Sequence, residues 1–461
     1  MAQKVDMLSG GLFKKIILFT IPIMMQGLLQ SVYNAADLAI VGQFTENGSD
    51  AVAAVGSTTS IYNVMIGLFM GLSVGVDVVS SHLFGKGDYK GVKQVIDTSV
   101  LIAPVLGIIV AVSGVLLTNP ILSVMSTPTD GGVFYGASAY LKILMIGVPF
   151  SMLFNFISAI LRTAGETTKP FIILSISGLV NVGLNILFCG AFDLGVIGVA
   201  VATVISQILS AVMIFGYLLI SKDVFSFSFR RIAFSFEKLK RIIIVGIPAG
   251  LQSAAFSLSN TFLQAGVNSF NDADVNAGST AVGTVEGLLW VTLNSFQNAT
   301  TTFMSQNVGA GNIKRAKKVL YYTFSMTAVL GVILGVGAFL LKTPILSIFI
   351  KDNPLALEYG YQRLMYTFPL YFLAGIMGML PGAIRGFGYS VSPSLITLIG
   401  TCGIRIVWVY TVFEACHDLS VLYLVHPITW VVTIIALLIN YAVILNIYKK
   451  KHREDNAENL S

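Results

Sequence analysis

Three carboxylates lie within long apolar stretches of this sequence: Asp37, Asp77 and Glu286. If such a stretch crosses a membrane, a charge near the bilayer centre costs about 2.5–3.5 kcal/mol on insertion scales. Carboxylates retained in that setting face a partner or a water-filled path, and they can take up and release a proton or a metal cation. These three residues are therefore the first candidates for chemistry in this chain.

Asp37 continues a polar stripe along one face of its predicted helix. Gln26, Gln30 and Asn34 precede it at spacings of four, four and three residues, which place all four side chains on one side of an α-helix. A polar stripe on an apolar helix must face protein or water, because lipid offers no hydrogen bonds. The alternative is a structural stripe that holds the helix to its neighbours. We favour a functional role for Asp37.

Glu286 begins a second stripe, which continues through Trp290, Asn294 and Gln297. Together with Asp37, its carboxylate suits a shared cavity or a second, linked ion site, and an internal hydrogen-bonding role is the alternative. Asp77 lies near the end of its apolar stretch, where we expect it to contact a lipid headgroup or a basic neighbour. The residues predicted to line a substrate cavity are Gln30, Asn34, Gln252, Asn260, Glu286, Trp290 and Asn294.

A third stripe consists of Ser177, Asn181 and Asn185, spaced four residues apart. Amide oxygens can bind a hard cation such as Na⁺, and the Thr203 hydroxyl of the next predicted helix could add a ligand. The same amides can equally hold a protonatable carboxylate by hydrogen bonds. A stripe of this kind, taken alone, is also typical of packing between membrane helices.

The elements that position these residues are predicted to be membrane helices. Of the 461 residues, 55% are hydrophobic and only 11% are charged, whereas soluble domains carry about 25% charged residues. Twelve stretches are long and apolar enough to span a bilayer. They are 16–41, 53–80, 94–117, 135–160, 171–190, 195–220, 242–268, 279–304, 319–341, 361–384, 392–413 and 420–447. The composition therefore predicts an all-α integral membrane protein.

The second half of the sequence repeats the first. Ile21-Pro22, Gln26 and Asn34 correspond to Ile247-Pro248, Gln252 and Asn260, and "LRTAGETTKP" at 161–170 returns as "IRGFGYSVSP" at 384–393. Six helices in each half place both copies in the same orientation, as two lobes related by a pseudo-twofold axis along the membrane normal. The predicted parts are an N-terminal lobe at 1–220, a basic linker at 221–241, a C-terminal lobe at 242–448 and a polar tail at 449–461.

The repeat separates framework residues from candidates for function. Asp37 corresponds to Leu263, and Glu286 corresponds to Thr59, so each carboxylate occurs in one half only and the shared architecture does not require it. Pro22 and Pro248 occur in both halves, and proline inside a helix produces a kink that a moving bundle can use as a hinge.

Glycine-rich turns also occur in both halves, at Gly85-Lys86-Gly87 and at 309–311. They resemble a phosphate-binding loop only superficially, because no strand precedes them and the Gly-Lys-Ser/Thr element is missing. We predict tight turns instead, with Asp88 and Asn312 capping the helices that follow.

The distribution of charge and the composition indicate the membrane orientation, the partners and the absence of catalytic motifs. Lysine and arginine concentrate in alternate connecting segments, which predicts that both termini are cytoplasmic and accounts for the basic net charge without nucleic acid. The three cysteines and four histidines show no metal-ligand spacing, and no nucleophile–base arrangement is present. We therefore expect no enzyme activity and no cofactor, and we expect a monomer in contact with membrane lipids.

These features resemble the multidrug and toxic compound extrusion (MATE) family, in particular its bacterial DinF-like branch. The resemblance covers roughly residues 10–450 and rests on "IPIMMQGLLQSVYNAADLAIVG" at 21–42, "GIPAGLQS" at 246–253, "SQNVGAGNIKRAKK" at 305–318 and the paired loops quoted above. It implies a plasma-membrane exporter of organic, often cationic compounds, with two six-helix lobes around a central cavity and inward H⁺ or Na⁺ as the coupling ion.

The resemblance also implies a cation site in the first lobe, formed by Asp37, Asn181, Asn185 and Thr203. Several relatives have aspartate where this chain has Asn185, so the site holds one titratable carboxylate here. A lipid-linked oligosaccharide flippase of the same superfamily is the alternative function. A flippase cavity is expected to be lined by arginine and lysine, whereas the polar stripes of this sequence are acidic, amide and aromatic.

Overall fold

The structure is a computed structural model, and it describes residues 4–45, 48–125, 132–221, 224–350 and 353–458. Residues 222–223 of the predicted linker and residues 459–461 of the predicted tail lie outside this range. The described residues form helices, turns and irregular segments, with no β-strand among them.

Twelve long helices follow one another along the described chain, and they coincide with the twelve predicted apolar stretches. They are α1 (Leu12–Phe44), α2 (Gly48–Gly85), α3 (Tyr89–Val124), α4 (Val133–Thr163), α5 (Thr168–Ala191), α6 (Gly195–Ile220), α7 (Phe236–Asn268), α8 (Ala273–Gly309), α9 (Ile313–Leu340), α10 (Pro354–Arg385), α11 (Val391–Cys416) and α12 (Leu419–Glu458). A short helix, Lys342–Leu346, lies between α9 and α10.

Eleven of the helices in the described part of the chain are both long and apolar enough to cross a membrane, and α8 is the exception. Its 37 residues are sufficient in length, but its polar side chains lower its hydropathy. Several of these side chains are satisfied within the helix: the hydroxyls of Thr300 and Thr301, for example, donate to carbonyl groups four residues earlier. Internal hydrogen bonding of this kind allows a polar helix to lie at membrane depth.

The glycine-rich turns have the predicted structure. Gly87 and Gly311 adopt positive φ angles of 78° and 70°, which residues with a Cβ rarely adopt. Asp88 then accepts a hydrogen bond from the backbone N–H of Gly91, and Asn312 accepts one from Arg315. Both helix caps predicted from the repeat are therefore confirmed.

The chain forms two compact units, and each is made of two separate stretches of the sequence. The first comprises Met1–Asp6 and Ile21–Gly246, and the second comprises Met7–Thr20 and Ile247–Ser461. Within α1 and α7 the division falls directly before Ile-Pro, at Pro22 and Pro248. The boundaries drawn from the sequence for the linker and the tail stay predictions.

Each unit has its own apolar interior. In the first unit, α2, α3, α4 and α6 pack together, with Val95, Met145 and Ile157 fully buried between them. In the second unit, α8 packs against α9 and α10, and α10 also packs against α12. Large apolar residues such as Ile108, Val112 and Leu116 cover the outer face of α3, as expected of a surface in contact with lipid.

Candidate functional site

The four residues predicted for a cation site lie together in the first unit. Asp37 of α1 is only 8% exposed, and its Oδ1 accepts a hydrogen bond from Asn185 Nδ2 at 2.5 Å. Asn185 Nδ2 also lies 3.4 Å from Asn181 Oδ1, and Asn181 Nδ2 donates to Thr203 Oγ1 at 3.4 Å. A continuous polar network therefore runs from α6 through α5 to the carboxylate on α1.

The local sequence explains why α1 and α5 approach closely enough for this network. Asn181 and Asn185 are one turn apart, so they share the buried face of α5. Gly178 lies one turn before Asn181 (on its N-terminal side), and a Cβ at Gly178 would overlap the ring of Tyr33 on α1. The Tyr33 hydroxyl donates to the carbonyl oxygen of Ser175 at 3.2 Å, which fastens α1 to α5 next to the site.

No lysine, arginine or histidine in the described ranges forms an ion pair with Asp37. The Oδ1 atom of Asn185 is buried and accepts no hydrogen bond, although it belongs to the same amide that donates to Asp37. Buried polar atoms are nearly always paired, so an unpaired acceptor beside a buried carboxylate requires an explanation. A bound cation, or a proton on Asp37, would supply the missing partner.

The oxygen atoms near Asp37 suit a hard cation. The carboxylate, the two amide oxygens of Asn181 and Asn185 and the Thr203 hydroxyl are the ligand types that Na⁺ prefers. The described residues contain no cluster of three or more His, Cys, Asp or Glu side chains that would hold a transition metal. Gln30 and Asn34, from the same stripe as Asp37, are exposed and take no part in the network.

Glu286 lies in the second unit and is held by an arginine that no pattern in the sequence connects to it. Arg363 Nη2 contacts Glu286 Oε2 at 2.7 Å, and Arg363 Nε contacts Oε1 at 3.3 Å. Arg363 Nη1 also donates to the Ser279 hydroxyl at 2.6 Å, and the Tyr371 hydroxyl donates to the Glu286 carbonyl oxygen. The carboxylate is therefore engaged in an internal, two-point ion pair.

Two other predicted cavity residues of the second unit contact two further arginines, both only 1% exposed. Gln252 Oε1 accepts from Arg385 Nη2 at 2.5 Å, and Asn260 Oδ1 accepts from Arg405 Nη1 at 3.0 Å. With the Gln297 amide oriented so that both its nitrogen and its oxygen form hydrogen bonds, its nitrogen donates to Asn294 Oδ1. The expectation that these stripes lack basic residues is thus corrected, because the arginines reach them from α10 and α11.

A signal for Arg405 was present in the sequence. It lies within the apolar stretch 392–413, where an arginine is as costly as the carboxylates of Asp37 and Glu286 are in theirs. Trp290 adds an aromatic surface beside it: its ring stacks on Phe256 with centroids 5.0 Å apart, and the Arg405 guanidinium lies 5.4 Å from the Phe256 ring.

Asp77 has the basic neighbour that was expected. Arg162 Nε lies 3.3 Å from Asp77 Oδ2, and the Ser81 hydroxyl donates to Asp77 Oδ1. In the repeat, Arg162 corresponds to Arg385, which makes its contacts with amides and hydroxyls instead of a carboxylate. Asp77 is therefore part of the framework of the first unit.

Solved structures of MATE transporters share this fold. One described as the outward-facing conformation of a multidrug resistance MATE family transporter has a TM-score of 0.88 and 21% sequence identity, covering 98% of this chain and 99% of that chain. Another, a MATE protein in complex with MaD3S, also has a TM-score of 0.88 at 21% identity, covering 98% of this chain and 100% of that chain. The all-helical, two-lobe fold class predicted from the sequence is confirmed.

Curated bacterial proteins are similar along most of the chain. The probable multidrug resistance protein YoeA of Bacillus subtilis is 27% identical over 403 residues, which are 86% of each chain. The probable multidrug resistance protein NorM of Thermotoga maritima is 27% identical over 391 residues, covering 84% of this chain and 82% of its own. The sequence profile of the MatE family matches residues 22–187 and 248–411. The chain therefore belongs to the MatE family of multi-pass membrane transporters.

Proposed function

We propose that this protein is a cation-coupled antiporter that exports organic, often cationic, drugs and toxic compounds by alternating access. The named relatives are multidrug resistance proteins, which supports drug export. The observation that carries the coupling mechanism is the buried Asp37, which has one amide partner, Asn185, and no cationic partner in the described structure. The coupling ion is H⁺ or Na⁺, and it binds at Asp37.

The network around Asp37 supports a two-state site. When Asp37 is charged and unoccupied, the amide nitrogen of Asn185 is the main group that compensates for its burial. When a cation arrives, Asn185 Oδ1 can coordinate Na⁺, or it can accept the proton of a neutral carboxyl group. Loading thus neutralises the charge, and neutralisation favours a more buried arrangement of α1.

Pro22 and Pro248 are the proposed hinges. Both lie at the point where their helix passes from one compact unit to the other, so a change of kink there would move one part of the helix relative to the rest. Loading of Asp37 from outside would then alter α1 beyond Pro22, in the part of the helix that belongs to the first unit. The exposed Gln30 and Asn34 move with Asp37 and are proposed to contact substrate.

The deciding experiment is transport of a fluorescent organic cation in proteoliposomes, with the pH gradient and the Na⁺ gradient imposed separately. We expect one gradient to drive uptake into inverted vesicles and Asp37→Asn to abolish that dependence. Asp77→Asn is the matched control, because it removes another buried carboxylate of the same unit. If Asp37→Asn transports as well as the unaltered protein under both gradients, Asp37 is not the coupling residue.

The cellular setting is proposed on the same basis. Bacterial relatives suggest the plasma membrane, and the distribution of lysine and arginine favours cytoplasmic termini. We propose a monomer surrounded by lipid, with no nucleic-acid partner. Protease accessibility of the tail after residue 449 in right-side-out and inverted vesicles tests the orientation.

A flippase for lipid-linked oligosaccharides is the second candidate. It is favoured by one observation, the three arginines of the second unit, Arg363, Arg385 and Arg405, that contact predicted cavity residues. However, Arg363 is neutralised by Glu286, and Asp37 remains a buried acid in the first unit. Translocation of a fluorescent isoprenoid pyrophosphate sugar in the same vesicles distinguishes the two functions.

A further inference from the structure

Arg405 is a buried guanidinium group with neutral partners. It is 1% exposed, its Nη1 donates to Asn260 Oδ1 at 3.0 Å, and its Nη2 lies 3.4 Å from His426 Nδ1. Its Nε is buried without any hydrogen-bond partner. No carboxylate in the described ranges forms an ion pair with it. A buried charge left in this state is strongly unfavourable unless an anion completes the site.

The neighbouring acid does not balance this charge. Glu286 is near enough to influence Arg405 electrostatically, but both of its oxygens are occupied by Arg363. Two guanidinium groups therefore share one carboxylate, which leaves a single uncompensated positive charge in this part of the second unit. That charge matches one anionic group of a ligand.

An aromatic surface adjoins the uncompensated charge. The Phe256 ring lies 5.4 Å from the guanidinium carbon of Arg405 and stacks on Trp290, with an angle of 10° between the two ring planes. Phe256 and Trp290 are only partly buried and Asn260 is exposed, so a ligand can approach from this side. The surface suits a flat aromatic ring that carries an anionic substituent.

A local irregularity of α11 lies just before Arg405. A π-helical segment, Leu398–Gly403, precedes Arg405, and such segments redirect the side chains that follow. Counting from the matching prolines, Pro170 and Pro393, residue 404 corresponds to Asn181 of the cation site. Arg405 is therefore one residue beyond the position that corresponds to Asn181. The second unit thus carries a buried cation one residue from the position where the first unit carries an amide of the predicted cation site.

We propose that Arg405, Asn260 and His426 form a binding site for the carboxylate of an aromatic substrate, whose ring packs on Phe256 and Trp290. A carboxylate fits because it is a single negative charge that accepts two hydrogen bonds from a guanidinium group. A pyrophosphate would bring more charge than Arg405 alone balances. The inference rests on the proposed transport function and specifies its substrates as aromatic acids, including zwitterions.

The test compares naphthalene-2-carboxylate with its methyl ester, which has the same ring but no charge. Equilibrium binding to the full-length protein in lipid nanodiscs gives a ratio of the two Kd values. We expect the acid to bind about tenfold tighter or more than the ester, the range typical of hydrogen bonds to a charged group. Arg405→Gln is expected to reduce this ratio to about one.

Asn260→Asp and Asn260→Leu provide a test that does not require a change at the buried arginine. The aspartate places an internal carboxylate beside Arg405 and is expected to abolish the preference for the acid. The leucine has a similar volume and no charge, and the acid preference is expected to persist. If Asn260 had a purely structural role, both variants would change the preference for the acid in the same way. That result would overturn the proposal.

Two further outcomes separate this inference from the proposed function. If the unaltered protein transports an aromatic cation but does not distinguish the acid from the ester, the anion site is wrong and the export function stands. If it prefers the acid but transports no drug, the export function is wrong and the site stands. Displacement of the acid by farnesyl pyrophosphate at lower concentration than by a second aromatic acid overturns the assignment to carboxylates.

Discussion

Asn185 donates a hydrogen bond to the Asp37 carboxylate through its amide nitrogen, while its own amide oxygen is buried without a partner. One residue thus stabilises the charged carboxylate and also presents an unused acceptor next to it. The two residues are 148 positions apart in the chain, and the packing of α1 against α5 brings them together. This contact is the centre of the candidate cation site.

Removing the Asn185 amide is expected to weaken both stability and coupling. Asn185→Leu leaves the buried Asp37 without its donor, and loss of a hydrogen bond to a buried charged group costs about 1.5–3 kcal/mol. We expect a lower free energy of unfolding and a weaker dependence of drug transport on the coupling gradient. Asn181→Leu is the control: its contacts are longer, at 3.4 Å, so its effect should be smaller. Equal effects of both variants would contradict the direct contact with Asp37.

Gly178 is expected to tolerate no side chain. A Cβ there would meet the Tyr33 ring closer than real Cβ atoms approach other atoms, so Gly178→Ala should separate α1 from α5. Overpacking of this kind costs about 1–3 kcal/mol, and the coupling dependence of transport should fall with stability. Gly183→Ala lies on the same helix with open space around it and should behave like the unaltered protein. Thermal unfolding and vesicle transport measure the two effects.

The Glu286–Arg363 ion pair is expected to be structural. Both side chains are mostly buried, so removing one partner leaves an unpaired charge and costs about 3–5 kcal/mol. Glu286→Gln and Arg363→Met should each lower the melting temperature strongly. The double variant should lose less unfolding free energy than the sum of the two single losses. A double-mutant cycle of unfolding free energies measures this coupling. Additive effects would show that the two-point contact contributes little.

Asp77→Asn is expected to lower stability without changing the coupling. It breaks the contact with Arg162 and leaves that guanidinium with one partner fewer, at a cost of up to about 3–5 kcal/mol. For the folded fraction of the Asp77→Asn variant, the concentration of coupling ion that gives half-maximal drug transport should equal that of the unaltered protein. A large shift in that concentration would mean that Asp77 contributes to the coupling pathway.

Much of this architecture is determined by the sequence alone. Apolar stretches long enough to span a bilayer predict twelve helices, because hydrophobicity and helix length are local properties of the chain. Regular spacing predicts that Asn181 and Asn185 share a helix face, and the turns at Gly87 and Gly311 are specified by residues beside them. The grouping of Asp37 with Asn185 was expected only from the family resemblance, since no local pattern links them.

Only the tertiary structure decided which buried charges are paired. Glu286 is, like Asp37, a carboxylate within an apolar stretch, yet Arg363, 77 positions away, occupies both of its oxygens. Arg405 is visible in the sequence as a charge within an apolar stretch, but only the structure shows that it is buried without an acidic partner among the described residues. Charge pairing depends on which helices pack together and on how each helix is rotated about its own axis. A π-helical turn changes that rotation without an evident sequence signal.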